Sequence, residues 1–257
     1  MQVLPLASGS QGNSLMVCSG QTRLVVDIGL GLDDFESRLA VADIDPKSIT
    51  AILMTHRHRD HNRGVADFCR RYRTPAYGTR RTLRSLCNKL DRGLHAVKAG
   101  QPFEIQNINV HAVSLSHDAP DTVGYRFDDG RHRFGYATDL GCDEGSLTDV
   151  FVRLDALFLE FNYDADMLEN GAYPRQLKDR IASDKGHLSN QQAATLLKKI
   201  DQDRLQRVWL AHLSQRNNKP ALALAAAQGA LKTADPAIVE IAEQDRPSRP
   251  WSASVTT

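Results

Sequence analysis

Aromatic residues make up only 6% of the 257 positions, which argues against a protein that holds its ligand mainly by stacking unpaired bases. Cysteine is equally thin: Cys18, Cys69, Cys87 and Cys142 stand far apart with no paired motif, the pattern of reduced, buried thiols rather than a disulfide scaffold. No run is long and apolar enough to span a bilayer. The opening Met1-Gln2-Val3-Leu4-Pro5 lacks the basic segment and apolar core of a secretory leader, so a cytoplasmic protein with no membrane partner is expected. Net charge is close to nil, at +1, and by itself names no partner. Internal repeats, low-complexity tracts and linkers are also missing.

What is present is ordinary globular composition, 41% apolar and 25% charged, with ample length for a core. Strand-like and helix-like stretches alternate, so one compact α/β (α+β) unit is expected over residues 1–245. Residues 246–257, opened by Arg246-Pro247-Ser248-Arg249-Pro250, read as a flexible tail on which Trp251 alone could dock. Short strands are expected at residues 2–7, 15–18, 23–28, 49–54, 103–105, 108–114, 123–127, 133–138, 157–161, 208–211 and 237–241. Helices are expected near 32–41, 65–73 and 82–90, with Thr74–Gly78 as a turn between the last two. Ser189-Asn190-Gln191-Gln192 is a capping box opening another helix, and Pro220 starts an alanine-rich one.

Charge is distributed unevenly. From Arg57 to Arg92 there are eleven Lys or Arg residues against three acids, a segment of +8 that leaves the remainder at −7. Such a segment attracts a polyanion, although a solvated helix face would carry the same composition.

The basic segment begins inside the densest chemistry of the chain, Thr55-His56-Arg57-His58-Arg59-Asp60-His61. It follows the apolar run ending at Met54, so four potential ligands, His56, His58, Asp60 and His61, stand where a strand ends. In extended backbone, alternate residues point the same way, which sends His56 and His58 to one side. Nitrogen and oxygen donors at this density suit zinc or manganese, and more than one ion can be fed. Further candidates follow at strand or loop boundaries: His117, Asp139, His187 in Lys185-Gly186-His187-Leu188, and His212. Asp27 ends Leu24-Val25-Val26-Asp27; in isolation it would cap the next helix. Ser8-Gly9-Ser10-Gln11-Gly12-Asn13-Ser14 reads first as a tight turn. His95, His111 and His132 lack such settings and read as structural.

Thr-His-x-His-x-Asp-His, a later single His, Thr138-Asp139-Leu140-Gly141 and Ala211-His212-Leu213-Ser214, in this order, resemble the metallo-β-lactamase fold hydrolases. Within them the chain is most similar to the small bacterial branch called YycJ or WalJ. That likeness is carried by Ser8–Ser14, His117-Asp118, Gly171-Ala172-Tyr173-Pro174, Leu177-Lys178-Asp179-Arg180-Ile181, Gly186-His187-Leu188-Ser189-Asn190 and Asn217-Asn218. One departure is Tyr163 in Asn162-Tyr163-Asp164, where the branch suggests histidine.

The resemblance implies an αββα sandwich with no large inserted cap domain and a centre for two divalent metal ions, Zn or Mn. It implies that His56, His58 and His117 hold one ion, that Asp60, His61 and His212 hold the other, that Asp139 bridges, and that Asp27 is structural near the site. Two cations side by side make water nucleophilic at neutral pH and polarise a phosphoryl oxygen. Asp60 would orient the attacking water, and His187 would donate a proton to the leaving oxygen or sit behind a ligand.

The resemblance points to a 5′-to-3′ exonuclease on double-stranded DNA, with Arg57, Arg59, Arg80, Arg81 and Arg84 as phosphate contacts. The alternative is a metal-dependent hydrolase of a small anionic substrate, such as a thioester, lactone or cyclic phosphodiester. A third reading is a non-catalytic metal- or DNA-binding protein retaining the fold.

Overall fold

The computed structural model describes all residues except 144, 234, 236–237 and 254–257. Apolar runs rich in branched residues build two mixed sheets. The first holds β1 (Gln2–Ala7), β2 (Ser14–Ser19), β3 (Thr22–Val26), β4 (Ala51–Leu53), β5 (Ala76–Thr79) and β6 (Leu94–Val97). The second holds β7 (Phe103–Ile105), β8 (Ile108–Ser114), β9 (Val123–Asp128), β10 (Arg133–Ala137), β11 (Ala156–Glu160), β12 (Arg207–Ala211) and β13 (Val239–Ile241). β14 (Trp251–Ser252) returns to the first sheet, whose order is β14-β1-β2-β3-β4-β5-β6; the second runs β13-β12-β11-β10-β9-β8-β7. β1 to β3 and β7 to β10 are antiparallel meanders, whereas β3 to β6 and β10 to β13 are parallel.

The inner faces meet in one core: Val17, Leu24 and Leu53 from the first sheet pack with Tyr125, Phe134, Phe158 and Trp209 from the second. Helices cover both outer faces. On the first sheet, α1 (Leu32–Val41) buries Phe35 and Leu39, α2 (Arg59–Asn62) is a single turn, and α3 (Val65–Tyr72) buries Val65, Phe68 and Cys69 at i, i+3 and i+4. α4 (Arg80–Leu83) follows β5, and α5 (Ser146–Val150) packs on the second sheet. Beyond β11 come α6 (Ala165–Asn170), α7 (Arg175–Ile181), α8 (Asn190–Lys199) and α9 (Pro220–Gln228). The Ser189 capping box opens α8, whose Ala193, Leu196 and Leu197 sit on the sheet, and Pro220 stands in the first turn of α9. The layers are therefore helix, sheet, sheet, helix, with the short α6 and α7 in the connection between β11 and α8.

Several segments depart from the sequence reading. The 82–90 helix shrinks to α4, because Ser85 Oγ bonds back to Thr82 O at 2.8 Å and the chain continues in turns. Thr74–Gly78 is not merely a turn: Ala76–Thr79 forms β5 between β4 and the unforeseen β6, pairing that a four-residue pattern does not signal. Asp27 caps no helix, since the N-cap of α1 is Gly31. Residue 237, the expected start of the last core strand, lies outside the described residues. The described part of the 246–257 stretch is not loose: Ser248 N donates to Pro5 O at 3.0 Å, and Trp251, 6% exposed, pairs with Val3. Burial of the indole adds to the backbone pairing that holds this short strand.

Candidate functional site

The carboxyl ends of β3, β4, β8, β10, β11 and β12 open on one edge of the sandwich, the usual location for chemistry in parallel sheets. Asp27, Asp139 and His212 each follow a strand with φ of 59°, 60° and 54°, a left-handed turn that non-glycine residues adopt at a cost. The two sheets are tied together at this edge. Val123 N donates to Thr55 O at 3.1 Å, Tyr125 Oη to Met54 O at 2.7 Å, and His212 N to Ser8 Oγ at 2.8 Å. Gly29 allows the Asp60 loop to approach, since a Cβ there would lie 1.7 Å from Asp60 O.

These turns bring together every candidate ligand named from the sequence. Nitrogens of His56, His58 and His117 form one group within 4.8 Å, and Asp60, His61 and His212 form another. Asp139 stands between them, with Oδ2 3.0 Å from His61 Nε2 and Oδ1 3.9 Å from His117 Nε2. His56 Nε2, Asp139 Oδ2 and His212 Nε2 are buried without a hydrogen-bond partner. Each such atom costs about 1–3 kcal/mol, so three in one place fit a centre whose donors are meant for cations. The donor set, imidazole and carboxylate, suits zinc or manganese. Asp27 anchors the cluster: its carboxylate accepts from Thr55 N at 2.9 Å, from Thr55 Oγ1 at 2.7 Å and from His61 Nδ1 at 2.8 Å. That bond leaves His61 Nε2 facing Asp60 and Asp139.

Sequence reading misses Glu160, which lies hidden in the apolar run of β11. It is fully buried, and its Oε1 accepts from His187 Nδ1 and His212 Nδ1, both at 2.9 Å. Its carboxylate also accepts from the backbone amides of Asp139, Leu140 and Leu188. The available signal is energetic, because a carboxylate within an otherwise apolar strand requires partners. Asn13 reads in the sequence as part of a turn, yet its Nδ2 donates to Gly9 O and Asp60 O and lies 3.0 Å from His61 Nε2. Tyr163 is buried and bridges to Ser189.

Burial works against charge throughout this cluster, and pairing decides the outcome. Burial raises the Glu160 pKa, but His187 and the bonds from His187 and His212 overcome it and bring the value to about 2. Burial lowers His212, but the Asp139 charge, the nearby Asp60 carboxylate and the bond to Glu160 lift it to about 10. His187 is likewise raised against burial, chiefly by Glu160. His56, desolvated and beside His61, is held well below the ordinary histidine value and is neutral.

A cavity of about 250 Å³ opens over the cluster, lined among others by Ser10, His58, Asp60, Asp139, Tyr173, Arg180, His187 and His212. The arginines read from the sequence as phosphate contacts are not among its lining residues. Arg57, Arg59, Arg80, Arg81 and Arg84 are all exposed and stand outside its lining. Arg80 lines a separate cavity of about 640 Å³ with Lys98, Asp121 and Val123, and Arg81 Nε lies 3.7 Å from Asp121 Oδ2. Asn62 Nδ2 bonds Arg57 O at 2.7 Å and Ser85 Oγ at 3.5 Å, so the arginine-bearing turn of α4 adjoins the metal loop. No helix among the described residues is long and apolar enough to cross a membrane.

Known proteins share this architecture. A family model described as a beta-lactamase superfamily domain matches residues 22–213. The exodeoxyribonuclease WalJ of Streptococcus pneumoniae is 34% identical over 224 residues, 85% of this chain and 83% of the relative. The exodeoxyribonuclease YycJ of Bacillus anthracis is 32% identical over 226 residues, 85% and 84% respectively. The crystal structure of the metallo-β-lactamase fold protein YhfI from Bacillus subtilis superposes with a TM-score of 0.77 at 17% identity, covering 97% of this chain and 98% of that one. With its sandwich, its histidine and aspartate clusters and these relatives, the chain belongs to the metallo-β-lactamase superfamily and is a metal-dependent hydrolase.

Proposed function

We infer that this hydrolase cleaves phosphodiester bonds in nucleic acid, as a 5′-to-3′ exonuclease on double-stranded DNA. The observation that carries the chemistry is the placement of two ligand groups on either side of Asp139. His56, His58 and His117 would hold one divalent ion, Asp60, His61 and His212 the second, with Asp139 shared. Bound there, such a pair supplies an activated water and polarises the phosphoryl group. The chain's own residues do the rest. Asp60 aligns the attacking water, and Glu160 fixes the His187 ring through Nδ1 so that Nε2 can present a proton to the leaving oxygen. The Glu160 carboxylate raises the His187 pKa against burial, which favours the protonated ring.

The DNA substrate is supported by the names of the two relatives and by the exposed arginines beside the metal loop, which suit a phosphate backbone. The small size of the cavity over the cluster favours a second reading, hydrolysis of a small anionic ester. One experiment separates them: incubation with end-labelled duplex DNA, single-stranded DNA, RNA, bis-p-nitrophenyl phosphate and a thioester, with Mn²⁺ or Zn²⁺. Loss of duplex label from the 5′ end is expected. Turnover of only the small esters would replace the nuclease reading with the second, and inertness with metal bound would overturn both.

A further inference from the structure

Among the residues lining the 250 Å³ cavity, one carries a permanent positive charge, Arg180 in the last turn of α7. Its Nε donates to Asp118 Oδ2 at 2.8 Å, and Nη2 donates to the same oxygen. The other oxygen of Asp118 lies 3.3 Å from His58 Nε2 and 3.3 Å from His117 Nε2. A single carboxylate thus separates the guanidinium from the ligand cluster. The Arg180 side chain is 63% exposed, so its pairing with Asp118 is screened and weak. A guanidinium has five N–H donors in a planar fork, and one carboxylate oxygen engages only one edge of it.

Apart from Arg180 and the histidines of the cluster, no described residue of the lining offers an anion a cationic side chain. Asp60 and Asp139 are already paired with the histidines, and Tyr173, Ile181 and Leu213 form apolar wall. The Tyr173 ring is backed by Arg216, whose guanidinium carbon lies 5.8 Å from the ring centroid. Gly186 keeps this side of the site compact, because a Cβ there would lie 2.1 Å from Ile181 O. Arg180 is therefore held close to the cluster by the chain that carries His187.

We propose that Arg180 is the seat for a second, non-scissile phosphate, the neighbour of the scissile group on the same strand, and that this phosphate takes the place of Asp118 on the guanidinium. The proposal rests on the phosphodiesterase reading and adds a specificity residue to it. A bidentate phosphate would use the fork better than the one carboxylate oxygen does. Asp118 is then the resting partner, keeping the fork near the cavity until a phosphate arrives.

The test is calorimetric binding to the metal-loaded protein, comparing thymidine 3′,5′-bisphosphate, thymidine 5′-monophosphate and inorganic phosphate, with elemental analysis of every sample. The bisphosphate is expected to bind about tenfold more tightly than the monophosphate, the ordinary gain from one charge-assisted pair. Arg180→Ala should close that gap to within about twofold, Arg180→Lys should keep part of it, and both should retain their metal. An undiminished gap in Arg180→Ala, no gap in the unaltered protein, or inorganic phosphate matching the bisphosphate would overturn the seat. Loss of metal in Arg180→Ala would also overturn it, by showing that Arg180 acts through Asp118 and His58. Duplex DNA cleavage in the same preparations is a separate readout. If the gap closes as expected but DNA is untouched, the seat stands and the nuclease reading falls.

Discussion

Glu160 Oε1 stands 2.9 Å from His187 Nδ1, and the same oxygen holds His212 Nδ1 at the same distance. One buried carboxylate thus orients both a proposed proton donor and a proposed ligand. Removing His187 and removing Glu160 should have different consequences. His187→Ala is expected to keep its metal while turnover falls by about 10²- to 10⁴-fold, the usual worth of a positioned acid. Loss of metal in that variant would make His187 a ligand and withdraw its role as donor.

Glu160→Ala should harm both functions. It frees the His212 ring and leaves imidazoles without their buried counter-charge, so metal affinity should fall by about 10- to 100-fold along with turnover. Metal titration against a competing chelator measures the first effect and steady-state kinetics the second. Unchanged metal affinity would mean that Asp60 and Asp139 suffice to hold His212.

Asp139 sits between the two ligand groups, so its loss should be felt by both. The unaltered protein should carry about two divalent ions per chain. Asp139→Ala should abolish hydrolysis and reduce that content by elemental analysis. Treatment of the unaltered protein with chelator should abolish activity, and Mn²⁺ or Zn²⁺ should restore it; no metal and no restoration would sink the two-ion reading.

How much of this is legible in the sequence differs between residues for physical reasons. His56, His58, Asp60 and His61 are adjacent along the chain, so their density alone is a signal, and the structure gathers them as expected. The alternation of strands and helices is equally readable, because elements of ordinary length carry their period openly, whereas the sandwich arrangement is implied by the family resemblance. Glu160 is not, since its neighbours in β11 are apolar and its partners lie 27 and 52 residues away. Arg180 sits on a short helix whose exposed residues look solvated, and only the folded chain puts it over the site. For the Arg57–Arg92 segment, composition registers the charge but not where the side chains lie: none of its arginines is among the residues lining the cavity.

That segment still makes a prediction. Arg80, Arg81 and Arg84 lie on or beside α4, which adjoins the metal loop through Asn62 and Ser85. If they track a DNA backbone, replacing all three by Glu should weaken duplex binding and flatten its dependence on salt, by about one unit of slope for each phosphate no longer neutralised. Fluorescence anisotropy across a salt series measures this. An unchanged slope would return the segment to a solvated surface.

Metal uptake itself should release protons. In the metal-free chain His212 has its pKa raised to about 10, against an ordinary 6.5, so it keeps a proton throughout that interval. A raised pKa means that its contribution to stability is complete below pH 6.5 and is lost as pH climbs through 10. Glu160 has the opposite sign: with a pKa of about 2 against 4.5, its contribution is complete above pH 4.5 and is lost as pH falls toward 2. At pH 8 both groups are therefore charged and paired in the metal-free fold. A cation can take His212 Nε2 only after the ring gives up its proton, so binding at pH 8 should expel the His212 proton. The calorimetric enthalpy of Zn²⁺ binding should accordingly vary with the ionisation enthalpy of the buffer, and apparent affinity should rise with pH from 6.5 toward 10. In His212→Ala both dependences should weaken. An enthalpy independent of buffer at pH 8 would mean that His212 is neutral before the ion arrives, and the charge-paired cluster around Glu160 and Asp139 would need to be redrawn.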